Sequence, residues 1–347
     1  MVHFRRLIIA LSLCAGALSG QLTRAAPDSS RYDVFLRGQT VIFTDVRTAL
    51  GTRVTTNGDQ HTLIGGGVLF RAADTRAALV ALPNGDIALH PYIPRQDERT
   101  VTHWIASANG KWLAWAFTMR TERGTLSDLF VVEGLLGENR MVLHTTSTRG
   151  LGILPLAVSD DGAYVFYTRR TDLFEALPSV LDLPIENVLR LQTASGDAVL
   201  LPDSPNCPCP MAFSSDARRA LRLASTPDGV AVSLIEVSAG IEQSVGALNG
   251  YERAQYAVFS ADGKKALFRL SRSSGRTRSA IALADFTARE ARLLTERLPE
   301  PLRPLALTAR ADTALLISLN DSGTFKLTLA DGALVRVSSD SYLGTLP

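Results

Sequence analysis

The sequence feature that most constrains the fold is a short segment that recurs five times. In each copy two apolar residues precede a Ser or Thr, and a polar turn then leads into an apolar run, as in "VFSADGKKALFRL" from Val258. The hydroxyl residues that mark the copies are Ser107, Ser159, Ser214, Ser260 and Thr308, so neighbouring copies are 52, 55, 46 and 48 residues apart. A fixed period of this length indicates a repeat architecture.

The residues between the copies predict paired β-strands. After each copy come β-branched segments in pairs, separated by Gly, Asp or Asn, as in "FKLTLADGALVRVS" from Phe325. Four short strands per period are typical of a β-propeller blade. The sequence therefore predicts an all-β protein with one propeller domain over residues 32–347. It favours seven blades, with six as the alternative, and the regular period disfavours a large β-sandwich.

The repeat resembles that of TolB-type propellers, which are also described as WD-repeat-like propellers. The resemblance covers roughly residues 101–347, and it is carried by these turn residues: Ser107, Asn109, Gly110, Ser159, Asp161, Gly162, Ser214, Asp216, Ser260, Asp262, Gly263 and Thr308. The copies at Ser214 and Thr308 lack the glycine. The resemblance implies a scaffold and leaves its ligand open, since such propellers occur alone, attached to prolyl-oligopeptidase-like hydrolases, or in periplasmic complexes.

The acidic residues of these turns have a structural explanation. An Asp or Asn side chain can accept hydrogen bonds from nearby backbone amides, and the following Gly can adopt a positive φ. Calcium binding would need several oxygen ligands in one loop, which the turns do not supply. We therefore expect the repeated turns to stabilise the blades rather than to catalyse a reaction.

The first 25 residues predict a secretory signal peptide. "MVHFRR" is a basic segment, and "LIIALSLCAGALSG" is an apolar stretch that is short for a membrane span. Cleavage is expected between residues 19 and 26, after Ser19 or Ala25. An uncleaved anchor and lipidation at Cys14 are the alternatives, and they are the only membrane attachment that the sequence suggests. The expected location is therefore periplasmic or secreted.

Two cysteines would remain after cleavage, in "SPNCPCP". Cys207 and Cys209 lie one residue apart. In an oxidising compartment such a pair suggests a disulfide, whose ring would be tight. Inert loop thiols and redox or metal chemistry are the alternatives.

Charge and motifs argue against several function classes. The formal net charge is +2, and basic and acidic residues are interspersed, so nucleic acid is not an expected partner. No G-x-S-x-G motif occurs, and His61, His90, His103 and His144 are scattered singly. The sequence therefore identifies no catalytic residue, no metal ligand and no cofactor site.

Two segments are candidate recognition surfaces. Trp112 is expected on the opposite strand face from Trp115, where it could contact a ligand. The other candidate is the long connection from Arg169 to Asn187, whose apolar residues include Leu173, Phe174 and Leu177. This connection could lie on the propeller or be offered to a partner.

The sequence favours a binding or scaffolding module whose partner is an unidentified envelope or extracellular protein or glycan. The alternative is a propeller hydrolase or lyase that acts on an extracellular sugar, lactone or peptide. That activity would require several His, Asp or Glu side chains to converge at the channel mouth.

Overall fold

The structure is a computed structural model that describes residues 31–175, 185–202, 209–272, 278–296, 298–308, 310–320 and 323–346. Within these ranges the chain forms 28 strands and no helix. No segment of the described residues is therefore a helix long and apolar enough to cross a membrane. The predicted signal peptide lies outside the described residues.

The strands form seven antiparallel sheets of four strands, which confirms the prediction of a seven-bladed propeller. Blade 1 combines the last strand of the chain with the first three: β28 (Ser341–Leu346), β1 (Tyr32–Arg37), β2 (Thr40–Asp45) and β3 (Gly51–Thr55). Blade 2 contains β4 (Gly58–Ile64), β5 (Gly67–Ala72), β6 (Ala78–Ala81) and β7 (Ile87–Leu89). Blade 3 contains β8 (Thr100–Ala106), β9 (Trp112–Thr121), β10 (Gly124–Glu133) and β11 (Arg140–Ser147).

The remaining four blades follow in chain order. Blade 4 contains β12 (Gly152–Val158), β13 (Tyr164–Arg170), β14 (Leu189–Gln192) and β15 (Ala198–Leu200). Blade 5 contains β16 (Met211–Phe213), β17 (Arg219–Thr226), β18 (Gly229–Glu236) and β19 (Ile241–Asn249). Blade 6 contains β20 (Arg253–Phe259), β21 (Lys265–Arg272), β22 (Arg278–Asp285) and β23 (Glu290–Thr295). Blade 7 contains β24 (Leu302–Leu307), β25 (Thr313–Ser318), β26 (Thr324–Thr328) and β27 (Leu334–Ser338).

Blade 1 closes the ring, because its strands come from both ends of the propeller sequence. β28 pairs with β1 from Tyr32 opposite Leu346 to Leu36 opposite Ser341. Side chains reinforce this pairing: the Arg37 guanidinium donates two hydrogen bonds to the Asp340 carboxylate, at 2.6 and 2.9 Å. The hydroxyl of Thr345 also donates to Asp33 at 2.7 Å.

The hydrophobic core lies between blades. Successive side chains of a strand point to opposite faces of its sheet, so each blade packs against two neighbours. In β9, Trp115 joins a buried cluster with residues of blade 2, including Ile64. Ala114 and Ala116 join a cluster with residues of blade 4, including Val165. The alternating apolar pattern of the strands therefore builds a ring of cores.

The repeated turns connect the first and second strands of a blade through one hydrogen-bond pattern. In blade 6, the Ser260 hydroxyl donates to Asp262 Oδ1 at 2.7 Å, and the backbone N–H of Lys264 donates to the same oxygen at 3.1 Å. The Lys265 N–H donates to Ser260 Oγ at 3.0 Å. The turns of blades 3, 4 and 5 repeat this pattern through Ser107 and Asn109, Ser159 and Asp161, and Ser214 and Asp216.

The copies without glycine keep the same backbone. Gly263 has a φ of 66°, and the alanines at the matching place in blades 5 and 7, Ala217 and Ala311, have φ of 56° and 49°. In blade 7 the hydroxyl of Thr308 donates to Asp312, which stands later in its turn than Asp262 does in blade 6. The turn conformation is therefore preserved although its usual residues are missing.

We expect removal of β28 to prevent cooperative folding. A chain that ends at Asp340 loses the only strand partner on one side of β1, and the net stability of a domain is only about 5–15 kcal/mol. The variant Arg37→Ala keeps the strand pairing and is expected to lose little stability, because Arg37 is largely exposed and solvent screens its ion pair. Thermal unfolding followed by circular dichroism distinguishes the two. A cooperative transition in the truncated chain would contradict this account of closure.

Exchanging glycine and alanine at this turn position should change the stability of the protein in opposite directions. Gly263→Ala places a Cβ on a left-handed residue and should cost about 1 kcal/mol, since its surroundings are open at 3.7 Å or more. Ala311→Gly removes the same penalty and should raise stability by up to about 1 kcal/mol. Chemical denaturation of both variants measures the two changes. Destabilisation by both exchanges would show that φ does not control these turns.

Candidate functional site

The candidate site is a cavity of about 520 Å³ in the centre of the propeller, which we call the channel cavity. Its wall comes from five blades, through the first strands β8, β12, β16, β20 and β24 and the turns that follow them. Its larger apolar lining residues include Leu156, Met211, Phe213, Phe259 and Leu305. Alanines and serines fill most of the remaining wall, so the cavity combines an apolar lining with few polar groups.

Irregularities in the first strands shape the wall. The pairing of β12 with β13 shifts between Pro155 and Ala157, and that of β24 with β25 shifts between Pro304 and Ala306. The extra residues, Leu156 and Leu305, both line the cavity. A β-bulge redirects the side chain at its position. Leu305 is partly exposed there, whereas Leu156 is 4% exposed and also packs in the core between blades 4 and 5.

β20 contains a similar shift, and its backbone is unusual. Between Gln255 and Val258 two residues oppose one residue of β21, and one of them, Tyr256, has a φ of 54°. The other, Ala257, lines the channel cavity. Positive φ is uncommon for a bulky residue and often occurs at functional sites. Three of the five strands in the wall therefore depart from regular pairing beside the cavity.

Hydrogen bonds join the turns of neighbouring blades at one end of the cavity. The Gly65 N–H donates to the carbonyl of Gly110 at 2.7 Å, which connects blades 2 and 3. The Asp160 N–H donates to the carbonyl of Ser215 at 2.8 Å, which connects blades 4 and 5. Arg219 then donates to the carbonyl of Gly263 at 3.0 Å. The turns therefore fix the cavity mouth.

Asp160 is the acidic residue of this mouth. Its Oδ1 accepts a hydrogen bond from the Asn109 N–H at 2.9 Å, and the Asn109 side-chain amide donates to the Asp160 carbonyl at 3.1 Å. Burial raises the pKa of Asp160, because the charged carboxylate is partly removed from water, although the hydrogen bond from Asn109 opposes this shift. The carboxylate is thus held rigidly beside the cavity and is incompletely solvated.

Sequence reasoning missed Asp160, although the repeat contained a signal. Asp160 occupies the variable position directly after the marking Ser or Thr. The other copies have Ala108, Ser215, Ala261 and Ala309 at that position. Asp160 is the only charged residue among these five, and the repeat period places this position around the propeller axis. This contrast was a signal that could have identified Asp160.

The tryptophans serve mainly in packing. Trp115 is 3% exposed, stacks on Phe130 at 4.1 Å, and donates through Nε1 to Asn139. Trp112 is partly buried against the core between blades 3 and 4. Its ring covers Gly162 so closely that a Cβ there would lie 2.3 Å from a ring carbon. Trp112 therefore contacts the neighbouring turn, which leaves only part of its surface open.

The long connection after β13 begins by lying on the propeller. Leu173 is 1% exposed and belongs to the core between blades 4 and 5. Its carbonyl is 3.1 Å from His103 Nε2, and the guanidinium of Arg120 stacks over Phe174 at 4.0 Å. Leu173 is therefore not available to a partner. Leu177 lies outside the described residues.

The remaining candidate residues do not form a second site. Cys209 is disulfide-bonded and lies opposite Ile185 in an isolated bridge, whereas Cys207 lies outside the described residues. Burial lowers the pKa of His90 and of His103 to about 4, so both are neutral at ordinary pH. Over the part of the chain that the structure describes, no three His, Cys, Asp or Glu side chains are grouped to hold a metal ion.

Comparisons with known proteins identify the fold. No protein-family profile matches the sequence, and no curated protein matches it. A prolyl endopeptidase structure matches with a TM-score of 0.58 and 12% identity, over 90% of this chain and 50% of that one. An oligogalacturonate lyase in complex with manganese matches with a TM-score of 0.54 and 13% identity, over 89% of this chain and 84% of that one.

TolB-like propellers are also among the structural neighbours. TolB from Acinetobacter baumannii matches with a TM-score of 0.47 and 11% identity, over 92% of this chain and 66% of that one. This chain therefore spans about two thirds of TolB and half of the endopeptidase. At these identities the likeness is one of fold.

Neutralising Asp160 and Asp161 should change stability in opposite directions. The raised pKa of Asp160 means that stability is lost as the pH rises from the unfolded pKa through the folded pKa, so Asp160→Asn should stabilise the protein near pH 7. The hydrogen bond from Ser159 lowers the pKa of Asp161, whose charge therefore favours folding above its unfolded pKa, so Asp161→Asn should destabilise it. Both effects should be below about 1 kcal/mol, since solvent screens the carboxylates.

Thermal unfolding near pH 7 and near pH 3 tests this pair. Both differences should shrink at the lower pH, because the unfolded chain then binds protons at both positions and the difference in proton binding between the two states has been partly or wholly used up. Equal shifts of the same sign at neutral pH would contradict the different environments of the two residues.

Proposed function

We propose that this protein is an extracytoplasmic binding propeller whose ligand occupies the channel cavity. The observation that carries the proposal is the cavity itself, which five blades surround with apolar and small side chains. Its volume of about 520 Å³ is within the range of about 300–1,000 Å³ that is typical of small-molecule sites. Predominantly apolar walls with a few fixed polar groups are also typical of such sites.

The arrangement of the wall supports binding more directly than catalysis. Hydrolysis or elimination needs an acid, a base or a metal within reach of one reacting atom. Among the described lining residues, Asp160 alone has a carboxylate or imidazole side chain. The activities of the endopeptidase and of the lyase are therefore not assigned to this chain. The residues of the channel cavity favour the binding proposal instead.

The sequence supports the proposed location. The basic and apolar segments of residues 1–20 have the pattern of an export signal, and Cys209 is disulfide-bonded, as expected in an oxidising compartment. The natural ligand is then a molecule of the periplasm or of the surroundings of the cell.

Filling the cavity mouth should abolish ligand binding. Ala261 is exposed and lines the cavity, so Ala261→Trp places a bulky ring at the mouth without replacing a core residue. The matched control is Ala288→Trp, in the exposed turn between β22 and β23. Both purified variants and the wild type are incubated with small molecules extracted from the native envelope, and retained compounds are identified by mass spectrometry.

We expect the wild type and Ala288→Trp to retain the same compound, and Ala261→Trp to lose it at unchanged thermal stability. Equal retention by all three proteins would place the ligand elsewhere. Retention of nothing by the wild type would count against a small-molecule function.

A further inference from the structure

The charge of the channel cavity restricts the chemistry of its ligand. Among the described residues of the lining, Asp160 is the only one with a charged side chain. It belongs to none of the ion pairs formed by the described residues. Two nearby charges act on the Asp160 carboxylate: that of Lys111 favours its ionised form, and that of Asp161 disfavours it.

The carboxylate is in a position to receive a cation. Its Oδ1 is held by the Asn109 N–H, and its main chain is fixed on both sides, by the Asn109 amide and by the Ser215 carbonyl. A preorganised group of this kind loses little freedom when a ligand binds. Because burial already costs the carboxylate part of its hydration, a cation that replaces the lost water interacts with it more strongly than at an exposed carboxylate.

The apolar wall indicates what the cation must carry. Phe213 and Phe259 line the cavity, and each is fixed by a second ring, Phe166 at 4.2 Å and Phe286 at 5.5 Å between centroids. Rigid aromatic faces can contact both an apolar body and a cationic group. A hydrophilic cation alone would leave this surface without a partner.

We propose that the channel cavity binds a small organic ammonium compound, with its cationic nitrogen at the Asp160 carboxylate and its apolar or aromatic body against Phe213 and Phe259. This inference rests on the proposed binding function and adds the ligand class. The cavity volume suits a small molecule rather than an extended chain, and the isolated negative charge selects a cation over an anion or a neutral sugar.

The test compares three probes that share one indole ring: tryptamine, which carries a primary ammonium group, neutral N-acetyltryptamine, and anionic indole-3-propionate. Isothermal titration calorimetry measures their dissociation constants near pH 7 for the wild type. We expect tryptamine to bind at least about tenfold more tightly than either analogue, because only its head group complements Asp160.

Two isosteric variants test whether the preference for tryptamine depends on the charge of Asp160. Asp160→Asn keeps an oxygen that can accept from the Asn109 N–H but removes the charge, so it should weaken tryptamine binding by about tenfold or more. The control is Asp161→Asn, which removes the same charge one residue away and outside the lining. Asn109 fills the equivalent place in blade 3, so this control should fold and should change affinity less than about twofold.

Two outcomes would overturn the inference. These are equal affinities for the three probes, including no binding of any of them, and equal losses of tryptamine affinity in both variants. The Ala261→Trp comparison separates this failure from failure of the proposed function. A natural compound that is lost in Ala261→Trp but retained by Asp160→Asn would leave the channel as the binding site and refute recognition of a cation.

Discussion

The pairing of β1 with β28 is the contact on which the rest of the structure depends. Every sheet face in a ring of blades is covered only when the last blade packs against the first. Here residues about 300 positions apart in the sequence, such as Arg37 and Asp340, make the contacts that close the ring. The cores between blades are all buried only in a closed ring, because each blade packs against two neighbours. The channel exists for the same reason: its wall is the set of first strands that closure holds around one axis.

Closure also explains how a single carboxylate can be held at the channel mouth. Asp160 receives support from Asn109 in the preceding blade and from Ser215 in the following one. Neither partner is near it in sequence, and both are positioned by their own turns. The rigidity of the mouth is thus a property of three blades together, which a single hairpin could not provide.

The sequence predicted the all-β class, the blade count and the turn residues, because these depend on local periodicity and on residues that form one hairpin. Asp160 was missed because its importance arises between blades. The accessibility of Leu173 was left open, since burial depends on where a long connection docks. The copy at Thr308 has Arg310 where the other copies have Asp or Asn, and the structure shows that Asp312 supplies the carboxylate from a shifted position. The repeat pattern could not predict contacts between residues of different repeats.

Ala217 and Ala311 show that a blade turn can form without the glycine that the repeat has at this position. Both adopt a left-handed backbone that glycine would adopt more easily, and both turns still close their hydrogen bonds. The turn hydrogen bonds therefore form with alanine as well as with glycine at this position. A fold with this redundancy can lose its recognisable sequence while keeping its shape, as expected for a chain that matches solved propellers but no sequence profile.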